Sequence, residues 1–145
     1  MGKTIRLRDF DDSSSGAYFI TICTHRRLFL LTGPGLEIAR RELMALRDRF
    51  AGLSLDCHVF MPDHLHAIVQ SSDCSSPLST IVQSYKSMTT REIKRVVPCD
   101  RVWQRGFHDR IVRDEPELAA LREYIQHNAI AHAVRGGASS APTSG

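Results

Sequence analysis

DCHVFMPDHLHAIVQ, residues 56–70, decides the fold. Asp56 to Met61 and His64 to Gln70 are two runs rich in apolar and β-branched residues, and Pro62-Asp63 between them is turn chemistry. The stretch therefore reads as a hairpin of two strands. Side chains alternate along a strand, so Leu65, Ala67 and Val69 face one way and can fill a core, while His64 and His66 face the other.

Working outward, AYFITICT (Ala17 to Thr24) is a further strand, entered from a Ser/Gly turn at Ser13 to Gly16. A loop around Gly33-Pro34-Gly35 leads to a helix with an apolar stripe of Leu36, Ala39, Leu43, Leu46 and Phe50. Its outer face carries Arg40, Arg41, Arg47 and Arg49. Downstream of the hairpin, Ser76 and Pro77 fit the N-cap and first position of a second helix, with Ile81, Val82, Tyr85, Met88 and Thr89 on one side. Arg101 to Val112 reads as extended chain interrupted at Gly106. A last helix opens at Asp114, where Glu117 completes an Asp form of the capping box, and buries Leu118, Leu121, Ile125 and Ala129. The order is β-α-β-β-α-β-α without an internal repeat. It predicts one α+β domain over residues 1–134, a ferredoxin-like antiparallel sheet with helices packed on it, and a flexible tail at 135–145.

Composition agrees with a single globular domain: 145 residues, 42% apolar and 24% charged. The formal charge is only +3, but the 19 Lys and Arg gather in a few segments, which suits a partner rich in phosphate. Cys23, Cys57, Cys74 and Cys99 lack zinc-site spacing and read as reduced thiols. Met1 to Asp12 has no apolar run of the kind a signal peptide needs, and no stretch approaches the roughly 20 apolar residues of a membrane span. A cytoplasmic protein without a membrane partner is expected.

Two constellations carry chemistry. His64 and His66 share a strand face with Cα atoms roughly 6.6 Å apart, and two neutral imidazoles at that spacing can hold one divalent ion. Among seven histidines such a pair also arises as two surface residues, so the spacing alone does not choose. Tyr124 and Asn128 stand i, i+4 on the last helix, on a face offset roughly 60–100° from its apolar stripe. A tyrosine there can reach out of the helix.

The surroundings add a resemblance. YFITICTHRRLFL from Tyr18, HVFMPDHLHAIV from His58, SYKSMTTREI from Ser84, VWQRGFHDRIVRDEPEL from Val102 and REYIQHNAIA from Arg122 follow one another as in the single-tyrosine HUH transposases. HUH denotes His-hydrophobic-His, and the chain is most similar to the branch associated with repetitive extragenic palindromes (REP). The resemblance runs from Ala17 to Val134. It implies that the last helix is catalytic, with Tyr124 as the nucleophile that attacks DNA, and that His64, His66 and Asn128 form a metal site. Magnesium or manganese is the implied ion, although ligand softness alone does not exclude zinc. A phenol with pKa near 10 is a weak nucleophile at neutral pH, so charge offset at the phosphate is chemically coherent. The expected activity is cleavage and rejoining of single-stranded or hairpin DNA through a 5′-phosphotyrosine, without ATP.

For binding, the cations expected on backbone phosphates are Arg26, Arg27, Lys86, Arg91, Lys94, Arg95, Arg105 and Arg110; the resemblance also places a Lys in the second helix. Arg101 lies in the same segment, where Trp103 and Phe107 are read either as base-stacking aromatics or as core. His25, His58, His108, His127 and His132 match no ligand pattern, although His108 and His127 can lie near the site. The chain departs from the family in three ways. Asp63 stands where Asn is more usual, Ala129 follows Asn128 where many relatives have Pro, and the basic C-terminal extension of some palindrome-associated members is lacking. Two other readings remain at this point: a domesticated hairpin-binding protein that does not cut, and a metal-dependent hydrolase unrelated to DNA. Also open is whether the last helix completes its own site or a partner's in a homodimer. A DNA strand transferase would work at the nucleoid.

Overall fold

In a computed structural model, residues 16–135 are described, so the N-terminal segment and the tail beyond Arg135 lie outside the described residues. The elements are β1 (Gly16–Cys23), a 3-10 turn at His25–Arg27, α1 (Gly33–Arg49), β2 (Leu53–Met61), β3 (His64–Ser71), α2 (Leu78–Val96), β4 (His108–Val112) and α3 (Glu115–Arg135). The strands form one sheet in the order β2-β3-β1-β4, with every neighbouring pair antiparallel. This is the expected ferredoxin-like arrangement, with α3 added to it.

The sheet separates two cores. Tyr18, Ile20 and Ile22 of β1 and Leu65, Ala67 and Val69 of β3 pack against Ile38, Leu43 and Leu46 of α1 and Ile81, Val82, Tyr85 and Ile93 of α2. On the opposite face Val59 and Met61 of β2 and Ile68 of β3 meet Leu118, Leu121 and Ile125 of α3, with Phe19, Cys57 and Val112 at the margin. Strand alternation thus feeds both faces, and it delivers His64 and His66 to the α3 side, as expected.

Several boundaries and faces differ from the sequence reading. Helix α1 takes in Gly33-Pro34-Gly35, because Pro fits the first turn of a helix. Gly35 is required there: a Cβ would collide with the Leu30 carbonyl oxygen. The fully buried face of α1 includes Ile38 and Glu42, whereas Leu36 and Phe50 are half-buried. Glu42 is tolerated because Arg49 pairs with it at 3.3 Å. Strand β2 starts at Leu53 rather than Asp56. Pro77, not Ser76, occupies the N-cap of α2. Met88 is half-buried beside the buried Tyr85 and Thr89. Of Arg101 to Val112 only His108–Val112 is a strand; Trp103 makes an isolated bridge to Thr24. On α3, Ala129 is exposed and Asn128 half-buried, since the inward face continues from Ile125 by a step of three. Without Pro at position 129 the helix continues to Arg135.

Candidate active site

The site grows from the pleat of β3. His64 and His66 project from the α3 face with ring centroids 4.8 Å apart. In the sheet register His66 stands opposite Thr21, whose Oγ1 lies 2.9 Å from its Nδ1. The Nδ1 of His64 is 2.7 Å from Asp63 Oδ1. An ionised carboxylate can only accept, so that nitrogen carries the proton and donates. Arg27 Nη2 approaches the same Nδ1 at 3.3 Å, but two donors cannot bond each other, and the real partner of Arg27 is Asp63, reached by Nε at 3.0 Å. With Nδ1 of each ring engaged, the Nε2 nitrogens are the ones left to bind a ligand.

Charge follows the same logic. Burial drives the His66 imidazole down to about 4, with His64 and Arg27 adding to the effect, so the ring is neutral near pH 7. Burial by itself would raise the Asp63 carboxyl, yet its bonds to His64 and Arg27 outweigh this and hold it below the ordinary value of 3.8. The additional negative charge expected from Asp at this position is therefore met by Arg27.

Helix α3 brings in the tyrosine. The Tyr124 ring lies 5.5 Å from that of His66 and edge-on to Phe19 at 6.2 Å, while Phe19 stacks on His66 at 5.4 Å. Tyr124 is 49% exposed, as its position off the apolar stripe predicts. Asn128 lies one turn on, and its Nδ2 donates to the Tyr124 carbonyl at 3.1 Å, which leaves the amide oxygen as its ligand-type atom. Among the described residues, no group of three or more His, Cys, Asp or Glu could hold a metal ion. A metal held here would need a third ligand of another type, and two imidazoles with their Nδ1 atoms bonded, supplemented by an amide oxygen, have donors of the kind a divalent ion takes.

What fixes α3 on the sheet was not foreseen. A bulge between Leu55 and Cys57 leaves Asp56 as the extra residue of β2. Asp56 accepts both arms of Arg122, Nε at 2.8 Å and Nη2 at 2.6 Å, and also Gln70 Nε2 at 2.6 Å. At the helix start, Arg110 of β4 grips Glu117 at 2.8 Å, and Asp114 Oδ1 caps the Glu117 amide at 2.9 Å, as the capping box predicts. Because β2 and β4 are the two edge strands, the helix is tied to both edges of the sheet. Thr21 and Phe19 were missed as well, although their alternation with Tyr18, Ile20 and Ile22 was the signal that put them on this face.

The predicted cations divide into separate groups. Arg26 and Arg27 lie in the turn beside Asp63. Lys86, Arg91, Lys94 and Arg105 line an open groove of about 610 Å³ between α2 and the 100–106 segment, whose 102–104 stretch is bonded to the chain at Cys23 to His25 just before the turn. Lys86 is already engaged, donating to the carbonyls of Gln104 (2.8 Å) and Gly106. Arg95 pairs with Glu92 at 3.7 Å, and Arg110 with Glu117. Trp103 is no stacking platform. It is 4% exposed, and its indole N–H donates to Thr89 Oγ1 at 2.8 Å, so the ring belongs to the main core. Phe107 packs against that core too. His108 is exposed on β4 opposite Thr21, and His127 lies on the outer side of α3.

Comparison with known proteins gives a consistent picture. The pattern of the family described as "Transposase IS200 like" matches residues 12–128. An uncharacterised protein of Haemophilus influenzae is 28% identical over 163 residues, covering 88% of each chain. A second protein of that organism, provisionally named a REP-associated tyrosine transposase, is 25% identical over 86% of this chain and 75% of its own. Among solved structures, a REP-associated tyrosine transposase bound to a REP hairpin superposes with a TM-score of 0.70 at 21% identity, covering 82% of this chain and 69% of that one. A protein of Deinococcus radiodurans R1, provisionally described as a transposase, gives 0.59 at 18% identity over 78% and 90% of the two chains.

Proposed function

The chain belongs to the IS200-like transposase family, and on that footing we propose that it is a strand transferase that cuts and rejoins single-stranded DNA through a phosphotyrosine on Tyr124. The observation that carries the proposal is the half-exposed Tyr124 ring 5.5 Å from His66 within one chain. This proximity supports a site completed by the chain's own helix, without a homodimer partner.

His64 and His66, with the Asn128 amide oxygen as a third donor, would hold magnesium or manganese, which supplies positive charge against the scissile phosphate. The chain's own residues do the rest. Asp63 and Thr21 fix the two rings through Nδ1, which leaves Nε2 of each for the ligand. Tyr124 Oη forms a bond to phosphorus as the bond to the 3′ oxygen breaks; the phenolic proton is lost and the departing 3′ oxygen gains one. One phosphodiester has been exchanged for another, so rejoining by an incoming 3′-hydroxyl needs no ATP. Arg26 and Arg27 lie where they can hold the strand near the cut. Arg91, Lys94 and Arg105 offer phosphate contacts further away, and hairpin DNA is the partner that the hairpin-bound structural neighbour favours. The nucleoid is the place for such work.

Incubation with labelled single-stranded DNA carrying a hairpin and its flank, in manganese, is expected to yield a covalent adduct that maps to Tyr124 by mass spectrometry. Tyr124→Phe should abolish the adduct without weakening DNA binding. Tyr85→Phe should keep it, since Tyr85 is buried in the main core with its hydroxyl on the Ala39 carbonyl. An adduct on Tyr85, or none on either tyrosine, refutes the proposal.

A further inference from the structure

Phe29 is 69% exposed, the most open of the large apolar side chains in the described residues, and its neighbour Leu28 is 45% exposed. Loose loops often shed a phenylalanine into water, but this one is not loose. Its two ends are bonded to the hairpin turn before His64: Thr24 N donates to Asp63 O and Leu31 N to Pro62 O, each at 3.0 Å. Thr24 Oγ1 adds a 2.7 Å bond to Leu28 O and a 3.1 Å contact with Asp63 O. Leu30 and Leu31, next in the chain, are buried, and the Leu30 carbonyl lies against Gly35 with no room for a Cβ.

The turn is also strained. Arg26 and Arg27, neither of them glycine, sit in the left-handed region at φ 55° and 56°. Such backbone is unfavourable and persists only where surrounding bonds over-determine it, most often at functional sites. Here the strain sends Arg27 onto Asp63 and leaves Arg26 and Phe29 exposed. An exposed aromatic and an exposed cation on one turn, bonded to the residues just before His64, match what an unpaired nucleotide offers: a base face and a phosphate.

We infer that the β1–α1 turn is a nucleobase subsite, in which the Phe29 ring stacks on an unpaired base beside the scissile phosphate. The inference rests on the strand-transferase reading and extends it, because the aromatics of the 102–107 segment are taken by the core and leave this turn to grip a base.

The test compares two 20-nucleotide single strands with equal phosphate numbers, oligothymidylate and a fully abasic strand, by anisotropy titration at low salt. Wild-type protein should favour the strand with bases by roughly tenfold or more. Phe29→Ala should remove that preference, leaving the abasic affinity and the melting temperature unchanged. Phe29→Trp should restore the preference, and its new exposed indole should be quenched on binding, whereas Trp103 is buried. The subsite is overturned if Phe29→Ala keeps the preference, if it weakens both strands equally, or if it changes only the sedimentation coefficient, which would make the turn a contact between copies. Failure of the wild type to bind either strand would sink the strand-transferase reading along with the subsite. Binding with an unaltered preference in Phe29→Ala would sink the subsite alone.

Discussion

Thr21 is the residue at which the histidine site can be probed with least disturbance. Its hydroxyl holds Nδ1 of His66, and valine has nearly the same shape without that hydroxyl. Thr21→Val is expected to raise the manganese concentration needed for half-maximal adduct formation by roughly 10- to 100-fold, as loss of a ligand's outer partner typically does. DNA affinity should not change. An unaltered manganese requirement would remove Thr21 from the site. His66→Ala goes further: adduct formation should vanish while binding survives, and chelation of the wild type should have the same effect, reversed by manganese or magnesium. Full activity in chelator would refute the metal site. At this scale the histidines were legible because a strand alternates with period two, which alone puts His64 and His66 on one face. Thr21 was not, because its partner is 45 residues away and only the strand register brings them together.

At the scale of the element, α3 depends on few contacts. Three apolar side chains, Leu118, Leu121 and Ile125, are fully buried against the sheet, and the Asp56–Arg122 and Glu117–Arg110 pairs flank them. Arg122→Ala leaves Asp56 with Gln70 and the Cys57 thiol as side-chain donors. Because the Arg122 side chain is 46% exposed, solvent screens the pair, and urea denaturation should show a small but resolvable loss of stability. The effect should depend on pH. The Arg122 bond holds the Asp56 carboxyl below 3.8 against the opposing effect of burial, with Gln70 helping. A depressed carboxyl contributes stability above its ordinary pKa and loses it as pH falls through the folded value. The gap between wild type and Arg122→Ala should therefore be full at pH 6 and close below pH 3.8; a gap independent of pH would contradict the assignment. The capping box and the exposed tyrosine of α3 were readable from the sequence, since both are local. The tie to Asp56 was not: it spans 66 residues and depends on a bulge with no sequence signature of its own.

For the whole molecule, the arrangement of charge makes the prediction. The chain leading into the Arg26–Arg27 turn is bonded to the wall of the Arg91, Lys94 and Arg105 groove, through His25 N to Val102 O at 2.9 Å and the Thr24–Trp103 bridge, so one bound strand could engage both groups of cations. Affinity should fall steeply with salt, and Lys94→Ala or Arg105→Ala should each reduce the slope of log affinity against log salt by about one. Adduct yield at saturating DNA should be unchanged; a slope unaffected by both substitutions would move binding elsewhere. The architecture was legible at this scale because hydrophobic period and turn residues agreed along the chain. The placing of the cations was not, since clustering in sequence does not reveal which segments pack side by side, as 23–25 and 102–104 do. Among the described residues no helix is long and apolar enough to cross a membrane.

The order of the elements has a consequence in time. Strands β1, β2 and β3, which frame the two histidines, are complete when residue 71 has been made, whereas Tyr124 arrives only with the last helix. On the proposed reading, a growing chain would thus acquire the two histidines of the site well before Asn128 and the tyrosine that attacks. On the strand-transferase reading, a polypeptide still on the ribosome would be harmless to nearby single strands until α3 has been made, and a product that stops short of Glu115 would lack the proposed nucleophile.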